Sequence, residues 1–375
     1  MKVGIIFINI GPYHLERVRA AARVLQSKGH QLALIELSAY ISTHPWQIKR
    51  EEEKFQWITL LDSTGDYEKS RLNLIFKLQN ALQKLQIDSL AISGYADPIM
   101  LSALVGCFWQ RKPAILFSES QEIDASRSWW QESLKSWILK GYKAALVGGN
   151  PHKRYLIKLG MAADSIFFGY DVVGNAALHP KQIKHLPKPI EQPFFLSINR
   201  FIPKKNLLML LSSYASYRQQ RGANTWHLVL CGDGELRTQI EQKIQELGLN
   251  EVVHLPGFLQ QNELLAYFAH ASCFVHASIQ EQWGLVVNEA MAASLPVLIS
   301  NRCGCFEDLV IEGVNGFGFD PENSQQLTDL MLKVSSTDVD LEKMSHASLE
   351  HIQKFAPDYF GRGLMQAVEY AIAHQ

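Results

Sequence analysis

What most limits the fold of this chain is a rhythm. Short β-rich apolar runs alternate with longer stretches at helical spacing, and the alternation starts twice. Lys2–Asn9 reads KVGIIFIN. A strand with one buried face alternates apolar and polar residues, whereas a near-continuous apolar run marks a strand covered on both faces. The stretch 14–28 then places Leu15, Val18, Ala22 and Leu25 on one helical face. Further strands are expected at 31–36, 89–93, 114–118 and 144–147, with helices at 72–85 and 128–140. Such succession implies a parallel sheet with helices on both faces. Pro180, Pro187, Pro189 and Pro193 then crowd a polar segment, which reads as linker. Beyond it strands are expected at 194–198, 227–231, 252–255, 273–276 and 297–300, with helices at 206–219, 235–247, 262–269 and 286–293, and a helical pattern over 359–373. The expected architecture is α/β, with two Rossmann-like doubly wound domains. Ligand would lie between the carboxyl ends of their strands.

Composition narrows the class. Hydrophobic residues make up 47% and charged residues 19%, so a sizeable core can form. A net charge of -1 gives no basic excess for nucleic acid. Cysteines 107, 231, 273, 303 and 305 are odd in number and mostly in apolar surroundings, the pattern of reduced buried thiols. Cys303 and Cys305 form a lone CxC without a second ligand pair, which argues against zinc. The first apolar run is too short for a signal core, and no later run is long enough for a membrane span. A soluble cytoplasmic chain is expected.

The chemistry concentrates in Glu281–Ser300, EQWGLVVNEAMAASLPVLIS. On one continuous helix Glu281 and Glu289 would lie about 12 Å apart along the axis and about 80° apart around it, too far to share a proton. Gly284 instead divides the segment, with Glu281 on a loop and Glu289 in the first turns of a helix. The open N–H groups of that helix start would suit phosphate. An extended ligand with a diphosphate centre and hydroxyls at both ends fits this layout, and a nucleotide-sugar has that shape.

The stretch resembles the E-x7-E segment of glycosyltransferase family 4, the large retaining group of the GT-B fold. Other pieces agree in order. Asn199 to Asn206, NRFIPKKN, looks like the family's G-R-x-x-x-x-K-G. Cys231-Gly232-Asp233-Gly234 is similar to its G-D-G turn, and Pro256-Gly257-Phe258 to its P-G-[FY]. Gly304 to Glu307 and Glu312-Gly313-Val314-Asn315-Gly316 resemble the closing G-G-x-x-E and D-G-x-N-G. The resemblance implies a cleft between domain 1–180, to which a helix at 357–375 returns, and a nucleotide-sugar domain at 190–356. It further implies that Arg200 and Lys205 hold the donor diphosphate. Glu281, with main-chain N–H groups near Trp283, Gly284 and Leu285, would grip the donor sugar, and Glu289 the ribose hydroxyls. Gly11, Gly232, Pro256, Gly257 and Phe258 would complete the donor site. For each charged residue the plainer alternative is a solvated charge or a helix-start acid.

The first half carries weaker signals. Asn9-Ile10-Gly11-Pro12-Tyr13-His14 joins the first strand to a helix, and Asp171 in Phe168-Gly169-Tyr170-Asp171 resembles the family's N-G-V-D. Family members carry a sugar-contacting histidine after the strand at 114–118, where this chain has Ser118-Glu119-Ser120-Gln121-Glu122. Glu119, Ser120 or His14 takes its place, lining an acceptor region with Asp171, or the contact is absent and Glu119 and His14 are a solvated loop acid and a helix-start histidine. Asn206 and Cys305 stand where the family has glycine.

The expected activity is retaining transfer of a sugar from a nucleotide-sugar, a UDP-sugar, to a hydroxyl acceptor in glycan, polysaccharide or glycolipid synthesis, with no cofactor and no metal. The acceptor would be a sugar, a lipid-linked molecule or a small molecule. The only D-x-D, Asp338-Val339-Asp340, reads as a helix cap. Rival readings are a nucleotide-sugar epimerase or hydrolase of the same fold and a non-catalytic nucleotide-sugar binder. Finally, Trp129, Trp130, Leu134, Trp137, Ile138 and Leu139 share one predicted helix near Lys135, Lys140 and Lys143. The pattern permits peripheral contact with the inner face of a membrane. The favoured reading is a core helix with its basic residues in solvent.

Overall fold

The computed structural model describes residues 1–40, 53–62, 67–125, 127–222 and 225–375. The chain forms two compact units: Met1–Val173 with Phe355–Gln375, and Gly174–Lys354.

In the first unit the apolar runs become parallel strands β1 (Lys2–Phe7), β2 (Gln31–Ser38), β3 (Gln56–Leu61), β4 (Ser89–Ser93), β5 (Ala114–Ser118), β6 (Ala144–Val147) and β7 (Ile166–Phe168). Their order is β3-β2-β1-β4-β5-β6-β7. β5 and β6 are buried along their whole length, as doubly covered strands require. The helices are α1 (Pro12–Ser27), α2 (Arg71–Leu85), α3 (Pro98–Trp109), α4 (Trp129–Leu139) and α5 (Asn150–Lys158). α2, α3, α4 and α5 send Leu78, Ala103, Leu139 and Leu156 into the core on one sheet face. α1 supplies Val18 and Leu25 to the other face, where the helix Pro357–Ala373 adds Phe360, Leu364 and Val368. The expected return of the carboxyl-terminal helix is thus part of the observed fold.

α4 departs from the favoured reading. Among its residues only Leu139 is buried, and Trp129, Trp130, Leu134 and Trp137 are exposed. Its inward side instead carries Glu132, whose carboxylate accepts from Lys135 Nζ and from the Tyr155 hydroxyl of α5. A polar network thus occupies the place a stripe of large apolar residues would otherwise fill.

The second unit opens with α6 (Asn175–Leu178) and α7 (Pro180–Ile183), so part of the proline-rich segment is helical, and Ile183 is buried. Strands β8 (Phe194–Ile198), β9 (His227–Cys231), β10 (Val253–Gly257), β11 (Cys273–His276), β12 (Val297–Ser300) and β13 (Gly316–Phe319) are parallel, in the order β10-β9-β8-β11-β12-β13. Around them lie α8 (Leu207–Arg221), α9 (Arg237–Glu246), α10 (Gln261–His270), α11 (Leu285–Ala292), α12 (Phe306–Leu309), α13 (Ser324–Val334) and α14 (Leu341–Ile352). Asp340 caps α14 by accepting from Lys343 N at 3.0 Å. In both sheets the chain order reverses at one place, between β1 and β4 and between β8 and β11. Loops that leave neighbouring strands in opposite directions open a crevice there, at the carboxyl ends of the strands.

Candidate active site

The loops after β8 and β11 flank the reversal in the second sheet, and they carry Arg200, Lys205 and Glu281. After β8 the chain passes against the turn that follows β9: Asn199 N donates to Cys231 O at 3.0 Å and Phe201 N to Asp233 O at 2.8 Å. Gly232 makes this closeness feasible. Its φ is +133°, and a β-carbon there would lie 1.8 Å from Asn199 O. Gly232 N in turn donates to Gly257 O at 2.8 Å, tying the G-D-G and P-G-F pieces together. Phe258 is exposed beyond them. Arg200 is exposed on this loop. Pro203–Lys205 forms one turn of 3-10 helix, ended by Asn206 at φ +57°. The family's glycine at this point therefore answers a left-handed backbone, which asparagine tolerates better than most residues.

Lys205 forms an ion pair with Glu281. Glu281 sits on a loop held by a main-chain bridge to Cys303 and by Gly304 N donating to Glu281 O at 3.0 Å. Gly284, at φ +105°, turns the chain into α11. Helix start and acid are thus arranged as the sequence predicts, with Glu289 buried in the second turn. Trp283 is buried and donates Nε1 to Asn288 Oδ1 at 2.8 Å, fixing the loop to the helix. Cys305 takes an ordinary right-handed backbone, so this position has no conformational need for glycine.

Sequence reasoning missed two residues. His276, at the carboxyl end of β11, lies 3.2 Å through Nε2 from Glu281 Oε2, and Ser278 Oγ donates to the same oxygen at 3.3 Å. Both are buried. A polar residue closing an apolar strand at a chain-order reversal was the available signal. Burial, reinforced by Lys205, holds the His276 imidazole below its ordinary value despite the Glu281 bond. An ionised carboxylate only accepts, so Nε2 carries a proton toward Glu281. Burial would raise the Glu281 carboxyl, but the hydrogen bond and charge of His276, and after them Lys205, outweigh it and hold the group well below the usual carboxylate range. Glu281 is therefore an ionised acceptor with a cation beside it.

In the first unit, Gly11 N donates to His14 Nδ1 at 3.1 Å and the His14 ring packs on Phe7. Gly11 is extended, a conformation open to any residue. Ser120 N donates to Ser118 Oγ at 3.3 Å. Glu119 meets Asp171, which also pairs with buried Arg17 at 3.4 Å. Burial and then the Glu119 charge lift the Asp171 carboxyl well above its usual range, against the pull of Arg17. The structure thus joins Glu119 to Asp171. Among the described residues no cluster of His, Cys, Asp or Glu could hold a metal, and no helix is long and apolar enough to cross a membrane.

Residues 179–351, inside the second unit, match the family model described as glycosyl transferases group 1. A 2-deoxystreptamine N-acetyl-D-glucosaminyltransferase of Niallia circulans is 26% identical over 185 residues, 46% of this chain and 47% of the relative. The chain spans about half the length of the curated relatives it matches first. Among solved structures, the sucrose-phosphate synthase of Thermosynechococcus elongatus superposes with a TM-score of 0.76 at 16% identity, over 100% of both chains. Anabaena HepE in complex with UDP-glucose does so with a TM-score of 0.72 at 16% identity, also over 100% of both. The fold is GT-B, and the family match supports the group 1 glycosyltransferase resemblance carried by the motifs.

Proposed function

We propose that the chain is a retaining glycosyltransferase that moves a sugar from a UDP-sugar to a hydroxyl of a sugar, lipid-linked or small-molecule acceptor in glycan, polysaccharide or glycolipid synthesis. The carrying observation is the Lys205–Glu281 pair at the carboxyl edge of β8 and β11, beside the start of α11 with Glu289 in its second turn. The relatives' names and the UDP-glucose bound by HepE support this reading. In it, Arg200 and Lys205 take the diphosphate, and the first N–H groups of α11 add positive potential. Sugar hydroxyls displace Lys205 from Glu281, whose ionised state makes it an acceptor. Glu289 accepts from the two ribose hydroxyls.

No side chain of this site is placed as an enzyme nucleophile, so retention is assigned to front-face substitution. The bond from the anomeric carbon to the phosphate oxygen breaks. The acceptor oxygen bonds to the same face of that carbon, and its proton passes to the departing phosphate. Lys205 and Arg200 stabilise the charge growing on that phosphate, a role worth about 3–4 kcal/mol for one well-placed donor. No metal enters.

The test is a thermal-shift panel of UDP-, GDP- and ADP-sugars, followed by donor turnover with and without EDTA. The expected result is stabilisation by UDP-sugars and EDTA-insensitive turnover that falls at least about a hundredfold in Lys205→Ala. Failure of every nucleotide-sugar to bind would overturn the assignment, and a magnesium requirement would overturn its metal-free part.

A further inference from the structure

α4 is built inside out. At about 100° per residue, Trp130, Leu134 and Trp137 share one side of the helix, with Trp129 and Lys140 at its margin. Their exposures are 55%, 51% and 69% for the first three and 81% for Trp129. The inward side holds Leu139 and the Glu132–Lys135–Tyr155 hydrogen-bond network. Tryptophans in water on a helix whose inner face spends polar groups on a neighbour are not remnants of a core.

The exposure continues on the same side of the first sheet. α3 exposes Phe108 and Trp109, α2 exposes Leu72 and Phe76, and Leu104 of α3 lies beside Gly141 at the end of α4. On the opposite face, α1 and the helix Pro357–Ala373 expose no large hydrophobic residue. Charge divides the same way. Between Tyr67 and Gly160, the stretch containing α2 to α5, thirteen lysines and arginines face seven aspartates and glutamates, a net +6 in a chain of net -1. Beside Trp137 an open hollow of about 510 Å³ is lined by Arg127, Glu132, Lys140 and Lys158; Arg127 lies 3.9 Å from Glu132 and Lys158 pairs with Glu122, which among the described residues leaves Lys140 as its cation without a carboxylate beside it. Aromatic rings that prefer the water–hydrocarbon boundary, surrounded by cations, match an anionic lipid surface in both polarity and charge.

We propose that the exposed face of α4, with exposed Lys140 and Lys143 at its carboxyl end, docks this chain on the anionic headgroups of a phospholipid bilayer. Trp130 and Trp137 enter the boundary region while the cations meet lipid phosphates. The inference stands apart from the assigned activity, since it uses none of the residues of the second unit.

The test is flotation of the full chain with phosphatidylcholine vesicles, with and without one part in three of phosphatidylglycerol (on the order of a typical anionic leaflet). The expected result is binding to the anionic vesicles at low salt, a blue shift of tryptophan emission, and loss of binding in concentrated salt. Trp130→Ser/Trp137→Ser and Lys140→Gln/Lys143→Gln should each weaken partitioning by about tenfold or more with unchanged melting temperature, because every substituted side chain is exposed. Two results would overturn the proposal: wild-type chain that stays with the unfloated fraction at low salt, or a tryptophan variant that floats as wild type does. A self-association abolished by the tryptophan substitutions, with no vesicle binding, would reassign the face to a second copy of the chain.

Discussion

Replacing Lys205 with methionine keeps most of the side chain's bulk and removes its charge. The pair it breaks is mostly out of water, with 11% of the Lys205 side chain and 15% of Glu281 exposed. Once the cation is gone, Glu281 keeps hydrogen bonds from His276 and Ser278 but loses its lysine counter-charge. Removing one member of a buried pair costs about 3–5 kcal/mol. The two surviving bonds put this case at the low end, about 3 kcal/mol. The loss depends on pH with a definite sign. In the native chain the Glu281 carboxyl is depressed, so its contribution is present above the unfolded value near 4.5 and disappears as pH falls through the lower folded value. In Lys205→Met the carboxyl loses the Lys205 charge and rises from its depressed value, so the deficit is greatest at neutral pH and shrinks below about pH 4.5. Hydrogen exchange of peptides covering β11 to α11 reads opening of this region separately from the first unit. At pH 7 it should quicken about a hundredfold, since 1.36 kcal/mol is a factor of ten. Lys205→Met/Glu281→Gln removes the stranded charge and should recover about 2 kcal/mol. Equal exchange in the single and double variants would refute the account of Glu281 as an anion held by Lys205.

Three further outcomes follow from the same geometry. Glu289→Gln should weaken UDP binding by about tenfold in calorimetry, the worth of a charge-assisted bond, and should be indifferent to loss of the ribose 2′-hydroxyl, to which the native chain responds. Gly232→Ala should unfold the second unit or lower its melting temperature sharply, because its β-carbon would meet Asn199 O at 1.8 Å. Gly284→Ala, with no neighbour closer than 3.4 Å, should cost only the left-handed strain of about 1–2 kcal/mol. His276 is held below its ordinary 6.5, so the unfolded chain binds a proton there that the folded chain refuses. Stability therefore falls as pH drops below about 6.5, and urea melts of His276→Gln should show a shallower decline between pH 6.5 and 5.

Much of the fold was legible because parallel strands covered on both faces leave continuous apolar runs, as in β1, β5, β8 and β12. β3 escaped notice because most of its residues are only half-buried at the sheet edge, which blurs the pattern. α3 escaped because PIMLSALVGCFW is apolar on every side and offers no period. The helix at 128–140 was located well but turned the wrong way round. Its polarity is set by Tyr155, a partner on the next helix that no window around the tryptophans contains. In the site, motif spacing pointed to Lys205 and Glu281, since a loop and a helix start fix their neighbourhood locally. His276 and Ser278 were not singled out because their meaning comes from contact with Glu281 across a turn.

The helix Pro357–Ala373 completes a core begun by residues near the start of the chain, whereas Gly174–Lys354 is continuous. During synthesis the second unit has all its strands outside the ribosome while the first still lacks Phe360, Leu364 and Val368. The early unit must therefore wait with one apolar side of its sheet covered only in part, by α1, and translation arrest before residue 357 would leave a chain with one finished unit and one adhesive one. Newly made chains should thus depend on holding chaperones more than the refolding of full-length protein does.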